Sequence, residues 1–252
     1  MFKKYTLTLA IGCMAVASYA QSKTDTIRRK DADGWEYQQV VSEKVVIVEG
    51  YLHNKKKAGV WNEYWLNQYP RTMCAYMNGK KHGTSIGMTA TGTMSYIENY
   101  KNGELDGPRK VYNTNNTGLM EEEYYSDGKK HGNYRYWYQN GKLKEEGRYA
   151  HGVRDGVTII YYESGSKSAE FTYKNGQLDG EASSNFADGK VKDAGFYSKG
   201  IQNGQWREYY INGNLQAEGE YKDGEKEGPW KQYDVLGKYM KTIQYKNGEE
   251  VH

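Results

Sequence analysis

The chain has 252 residues, of which 37% are hydrophobic, 30 are Gly, 26 are Tyr and 3 are Pro. Leu, Ile, Val and Phe together make up about 15% of it, a level that accompanies disorder, but disorder also needs a high net charge, and here 35 basic residues nearly cancel 32 acidic ones. Tyr supplies the missing apolar surface with a ring that ends in a polar tip, so a thick aliphatic core is excluded, and the glycine content excludes a helical bundle or a doubly wound α/β enzyme.

In chain order, Lys3 and Lys4 precede a mostly apolar stretch over 5–16, and Ser18-Tyr19-Ala20 offers the small residues a signal peptidase reads. This predicts a signal peptide over 1–20, a mature chain beginning near Gln21, and export to the periplasm, the cell surface or the medium. Leu9-Ala10-Ile11-Gly12-Cys13 also loosely resembles a lipoprotein box, so membrane association is expected only if Cys13 is lipidated. If Cys13 is removed, Cys74 is the one cysteine left and no intramolecular disulfide is expected. Losing Lys3 and Lys4 also lowers the formal net charge of +3 by two, which leaves no basic footprint for nucleic acid.

Residues 21–48 read as an N-terminal leader and capping strand, with a flexible charged segment over 24–33 and a strand over 45–48 that closes the first edge. From 49 to 252 the chain is a repeat array. Tyr76, Tyr100, Tyr125, Tyr149, Tyr173, Tyr197, Tyr221 and Tyr245 stand 24 residues apart, with one interval of 25. A Gly follows each three residues on, as at Gly200 and Gly224, and a second Gly comes four further on, as at Gly204 and Gly228. A period of this size marks a stacked array. Leu52 takes the Tyr position one step earlier, which makes eight repeats, and the extra residue of the third falls at 113–117, where a turn absorbs it more easily than a strand.

The unit 197–220 shows the plan. A strand over 205–211 leads to Asn212-Gly213, a two-residue hairpin signal, and a second strand over 214–221 follows. A turn at 222–224 with its trailing Gly228 then opens the next unit. The expected fold is all-β: about sixteen strands in an elongated antiparallel meander of about eight 24-residue β-hairpin repeats, forming a single-layer twisted sheet.

Counted from the ladder Tyr as zero, aromatics recur at position 12 (Tyr64, Tyr161, Tyr209, Tyr233) and, with opposite parity, at position 9 (Trp61, Tyr134, Trp206, Trp230). The second set is read as a candidate binding surface for a partner protein, interrupted by Ser85, Arg109, Thr158 and Ala182.

The pattern Tyr-x-[Asn/Asp]-Gly-x-x-[Asp/His]-Gly-x-Trp-x-x-Tyr-Tyr-x-x-Gly-x-Leu-x-x-Glu resembles the MORN-repeat variant found in bacterial proteins labelled YwqK-type antitoxin components. That resemblance implies an elongated sheet of successive hairpins that contacts proteins, and a partner-neutralising role that fits poorly with export. Choline- and glucan-binding repeats share the Trp-Tyr-Tyr motif but have a shorter period. They supply the second expectation, binding of cell-wall glycan through aromatic rings.

No catalytic residue, metal site or cofactor is expected. His82 and His131 share a repeat position with Asp106, Asp155, Asp179, Asn203 and Glu227, so that position reads as a polar turn slot. Cys74 has no base beside it in its repeat. Glu98, Glu146, Glu170 and Glu218 read as a solvated strand face opposite Lys and Arg.

Overall fold

The computed structural model describes residues 24–30, 32–115 and 118–251; the expected signal peptide and Cys13 lie outside them. Over the described residues the chain runs back and forth as one antiparallel sheet of 23 strands. Pairing follows chain order, from Thr24–Lys30 against Trp35–Ser42 to Tyr239–Lys246 against Glu249–Val251, and these first and last strands do not pair with each other. Three strands are two-residue pieces, Glu104–Leu105, Lys129–Lys130 and Val153–Arg154, each one residue away from the strand that continues it. The all-β hairpin meander is therefore the observed fold.

Three local expectations are corrected. The first concerns the leader. Thr24–Lys30 is not a loose segment but a strand, paired from Thr24↔Ser42 to Lys30↔Glu36. Val45–His53 is then the third strand of the sheet rather than its edge. All seven residues of Thr24–Lys30 are exposed, so backbone pairing and an ion pair from Arg28 to Glu36 at 3.3 Å place the strand, and no apolar alternation betrays it.

The second correction concerns the turns. Asp223 and Gly224 form the tight turn, with φ of 51° and 86°. Two successive residues at positive φ give the hairpin turn whose twist matches that of the strands it joins. Asn78-Gly79, Asn102-Gly103, Asp127-Gly128, Asn175-Gly176 and Asn247-Gly248 share this conformation. Asn212-Gly213 lies instead in the longer loop between Ile201–Tyr209 and Leu215–Lys222, where Gly213 alone is left-handed at 93°. Asn214 N–H donates to Asn212 Oδ1 at 3.0 Å, and Tyr210 N–H closes the loop on Asn214 O at 2.9 Å.

The third correction concerns the second Gly, which sits inside a strand rather than trailing the turn. Gly228, at φ 68°, interrupts Glu225–Tyr233, and the register slips between Glu218 and Glu220 opposite it. This is a β-bulge: the four steps from Glu227 to Lys231 face only two from Glu218 to Glu220, and such an excess bends the strand and strengthens its twist. The extra residue of the third repeat does fall in a loop, closed by Asn113 N–H donating to Gly118 O at 2.9 Å.

Neighbouring repeats are bolted at both sheet margins. At the tight turns Gly224 N–H donates to Gln202 O and Gly248 N–H to Lys226 O, both at 3.0 Å. At the longer loops Tyr138, Tyr162 and Tyr210 donate their hydroxyls to Tyr161 O, Asn185 O and Tyr233 O at 2.7, 2.6 and 3.0 Å. Each bond joins one repeat to its neighbour, which couples them as a stacked array requires.

Candidate interaction surface

The sheet packs on one face. Trp61, Tyr134, Trp206 and Trp230 are 3%, 1%, 6% and 1% exposed, so the expectation that they form an open aromatic surface is corrected: they are the core. Ser85, Thr158 and Ala182, which interrupt them in sequence, are buried in the same column. The physical reason lies on the adjacent strand. Trp206 pairs with Gly219, and the rings of Trp61, Trp206 and Trp230 lie against Gly50, Gly195 and Gly219, where a Cβ would come within 2.5, 2.0 and 2.4 Å of the indole. Glycine lets each indole lie flat on the sheet, where ladder tyrosines close over it. Tyr197, Trp206, Tyr221, Trp230 and Tyr245 meet edge to face in sequence, with centroids 5.8, 5.8, 5.2 and 6.5 Å apart.

Towards the middle of the array the same face becomes polar. Arg109 reaches Glu98, Glu121 and Glu123 at 3.2, 2.8 and 3.2 Å. Glu123 is buried and accepts from Lys130, Tyr136 and Tyr125. Burial pushes the Glu123 carboxyl up, but the hydrogen bonds from Lys130, Tyr136 and Tyr125 outweigh it and hold it below its ordinary value. One strand pair further on, Glu145 accepts from Tyr134 at 2.6 Å and pairs with Arg154. These charges are paired as buried charges must be, and the network belongs to the packing of the array.

The opposite face is open and carries cross-strand ion pairs. Glu122 lies between Lys110 and Arg135 at 3.2 and 3.9 Å, and Glu218 between Arg207 and Lys231 at 3.5 Å each. Arg135 also reaches Glu146 at 3.3 Å, and within a single strand Lys167 reaches Glu170 at 3.0 Å. Glu146 and Glu218 thus behave as the expected solvated stripe. Glu98 departs from it, because its strand position pairs with buried Ser85 and turns it to the packed face. The position-12 tyrosines belong to the open face, where Tyr64 and Tyr161 donate to Glu49 and Glu146 at 2.6 and 2.9 Å. Burial and the Glu49 carboxylate together push the Tyr64 phenol up to about 12.

The exposed large apolar side chains of this open face are the ones the sequence reading passed over. Tyr51, Val60, Tyr124, Val157 and Phe196 each stand next in sequence to a residue of the packed face and so point the other way. At the N-terminal end Trp35 lies 4.7 Å from His53, stacked, and 6.1 Å from Tyr51, edge to face. The signal for these residues was parity: they precede the ladder Tyr by one residue or the position-9 column by one.

The polar turn slot is observed. His82 Nδ1, Asp106 Oδ2 and Glu227 Oε2 each accept the backbone N–H of the next turn, from Asn102, Asp127 and Asn247 at 3.4, 3.3 and 2.9 Å. Cys74 is buried opposite Trp61. Among the described residues no cluster of His, Cys, Asp or Glu has the makings of a metal site, and no helix is long and apolar enough to cross a membrane.

These features define a β-hairpin repeat scaffold with one self-packed face and one open face. Residues 130–151, 154–175 and 202–223 match the MORN repeat variant, about a quarter of the chain, and the starts of the matches are one and two 24-residue periods apart. No curated protein matches the chain. A solved structure titled "Crystal Structure of TcdB2-TccC3-Cdc42" aligns with 85% of this chain and 14% of that one, at 11% identity and a TM-score of 0.17, a likeness too weak to carry fold or function.

Proposed function

We propose that the protein is an exported, non-enzymatic repeat scaffold that binds a protein partner on its open face. The observation that carries this reading is the set of exposed apolar side chains on a rigid sheet. Tyr51, Val60, Tyr124, Val157 and Phe196 stay in water although the opposite face packs its own aromatics away. Rings and branched aliphatics presented from paired strands lose little ordering entropy on binding, and the ion-pair row beside them supplies a polar rim. The resemblance to YwqK-type antitoxin components gives the finer form of the proposal, recognition of a toxin-like partner. The glycan alternative now rests on Trp35 and Tyr51, whose rings are exposed, since Trp61 and Trp230 are buried almost completely.

The test is capture of a stoichiometric partner from envelope and secreted fractions, compared with the triple variant Tyr124→Ser, Val157→Ser, Phe196→Ser. The variant is expected to keep its β-sheet spectrum and lose the partner. Equal capture by both proteins, or by neither, counts against this face. Export is checked separately by the mass of the mature chain, expected to begin near Gln21.

A further inference from the structure

The fifth position after the ladder Tyr sets a cation over the buried rings at most repeats. Lys57 Nζ lies 4.2 Å from the Trp61 ring and 4.8 Å from Tyr76. Lys226 Nζ lies 3.9 Å from Trp230 and 5.5 Å from Tyr245. Lys81, Lys130 and Arg154 stand over Tyr100, Tyr149 and Tyr173 in the same way. Trp206 and Tyr221 are disposed as Trp230 and Tyr245 are, yet their fifth position holds Gln202, which is neutral.

A hollow of about 550 Å3 opens there, walled by Tyr197, Trp206, Tyr221, Gln202, Asp193 and Glu208, with exposed Lys192 as the one cation on its lining. Asp193 and Glu208 stand directly opposite each other on paired strands. Like charges in that relation destabilise a sheet unless a cation lies between them. Asp193 accepts one hydrogen bond, from Ser184, and Glu208 makes no hydrogen bond or ion pair among the described residues. Rings, carboxylates and space are therefore all present, and the cation that completes the other tryptophan-bearing repeats is not.

We propose that this hollow receives the side chain of a lysine from a protein partner. The proposal rests on reading the array as a protein-binding scaffold, and it adds a second contact on the packed face. The ammonium would take the place that Lys226 Nζ holds over Trp230, with its charge met by Asp193 and Glu208 and its alkyl stem along the Trp206 ring.

The probe is N-α-acetyl-lysine N-methylamide, titrated into the full chain while the indole N–H resonance of Trp206 is followed; Trp206→Phe assigns that resonance. A saturable shift is expected, at least tenfold weaker for the ε-acetylated probe, which has lost its charge. Asp193→Asn combined with Glu208→Gln should weaken binding at least fivefold while the Trp230 indole resonance stays in place. Gln202→Lys should fill the hollow from within and abolish the shift. A Trp206 resonance that ignores the probe, or that moves equally with the ε-acetylated probe or in Gln202→Lys, overturns the proposal. The probe needs no captured partner, so its failure refutes the lysine site alone, whereas failure of the capture experiment refutes the scaffold reading.

Discussion

Replacing Gly219 with alanine asks whether the indole needs bare backbone beneath it. A Cβ at Gly219 would lie 2.4 Å from Trp230 Cδ2 and 2.5 Å from both Cε2 and Cγ, so the obstacle is the ring's own centre rather than a flexible tip. Trp230 is almost fully buried and donates Nε1–H to Glu220 O at 3.0 Å. A buried Trp removes on the order of 200 Å2 from water. Displacing half of that at about 25 cal/mol per Å2 costs about 2.5 kcal/mol, and losing the indole hydrogen bond adds about 1 kcal/mol. Alanine would otherwise suit a strand better than glycine by about 0.5–1 kcal/mol. The net expectation is a loss of about 3 kcal/mol, read from urea unfolding followed by circular dichroism. In the Trp230→Ala background the same substitution should be neutral or mildly stabilising, a coupling of at least about 2 kcal/mol. An equal cost in both backgrounds, or a cost below about 0.5 kcal/mol in the native one, would refute the packing account.

Four further outcomes follow from the same geometry. Gly204 has φ +87° and no atom within 4 Å of a built Cβ, so Gly204→Val should cost about 1–2 kcal/mol through backbone strain alone, whereas exposed Gln205→Val changes the melting temperature little. Glu123 is held below its ordinary pKa of 4.5, so its contribution is fully present above that value and disappears as pH falls through the depressed one. Urea midpoints from pH 7 to 3 should therefore show a shallower acid decline in Glu123→Gln, which at pH 7 is weaker by about 3 kcal/mol because Lys130 loses its carboxylate and Arg109 one of its three. The Tyr64 phenol is raised from 10.0 to about 12, so its contribution is complete below pH 10 and is lost as pH rises through 12; spectrophotometric titration should lose one tyrosine ionising near 12 in Tyr64→Phe, while Tyr100 and Tyr136, pushed up further by burial and by Glu98 and Glu123, still ionise later. Deletion of residues 173–196 should leave a shorter folded array, and collapse of the β-sheet spectrum would show that the repeats are not coupled mainly to their neighbours.

Much of the site's chemistry was visible as recurrence but not as role. Glu218-Gly219-Glu220-Tyr221 repeats the pattern of Glu49-Gly50-Tyr51-Leu52, yet Gly219 looks like any other glycine until Trp230 is laid across it. Asn212-Gly213 and Asp223-Gly224 are equally good turn signals, and strand pairing decided that the second is the tight one. The charged partners of Glu123 come from the next strands, at Arg109 and Lys130, so its satisfaction is legible only once the register is known.

What the amino-acid order determined by itself was periodic and local. A Tyr every 24 residues with paired glycines between is enough to specify successive hairpins, because turn conformation and strand propensity act over a few residues. What the tertiary structure decided was sidedness. Aromatics occur on both parities of each strand, at Trp206 and at Tyr209, so either face could have been the packed one. Glycine gaps on the adjacent strand admit indoles on one side only, and that long-range fit buried the Trp column and left Tyr51, Tyr124 and Phe196 to the solvent. The same fit set Asp193 opposite Glu208 beside a ring with no cation of its own, a juxtaposition of residues from different strands that no local pattern announces.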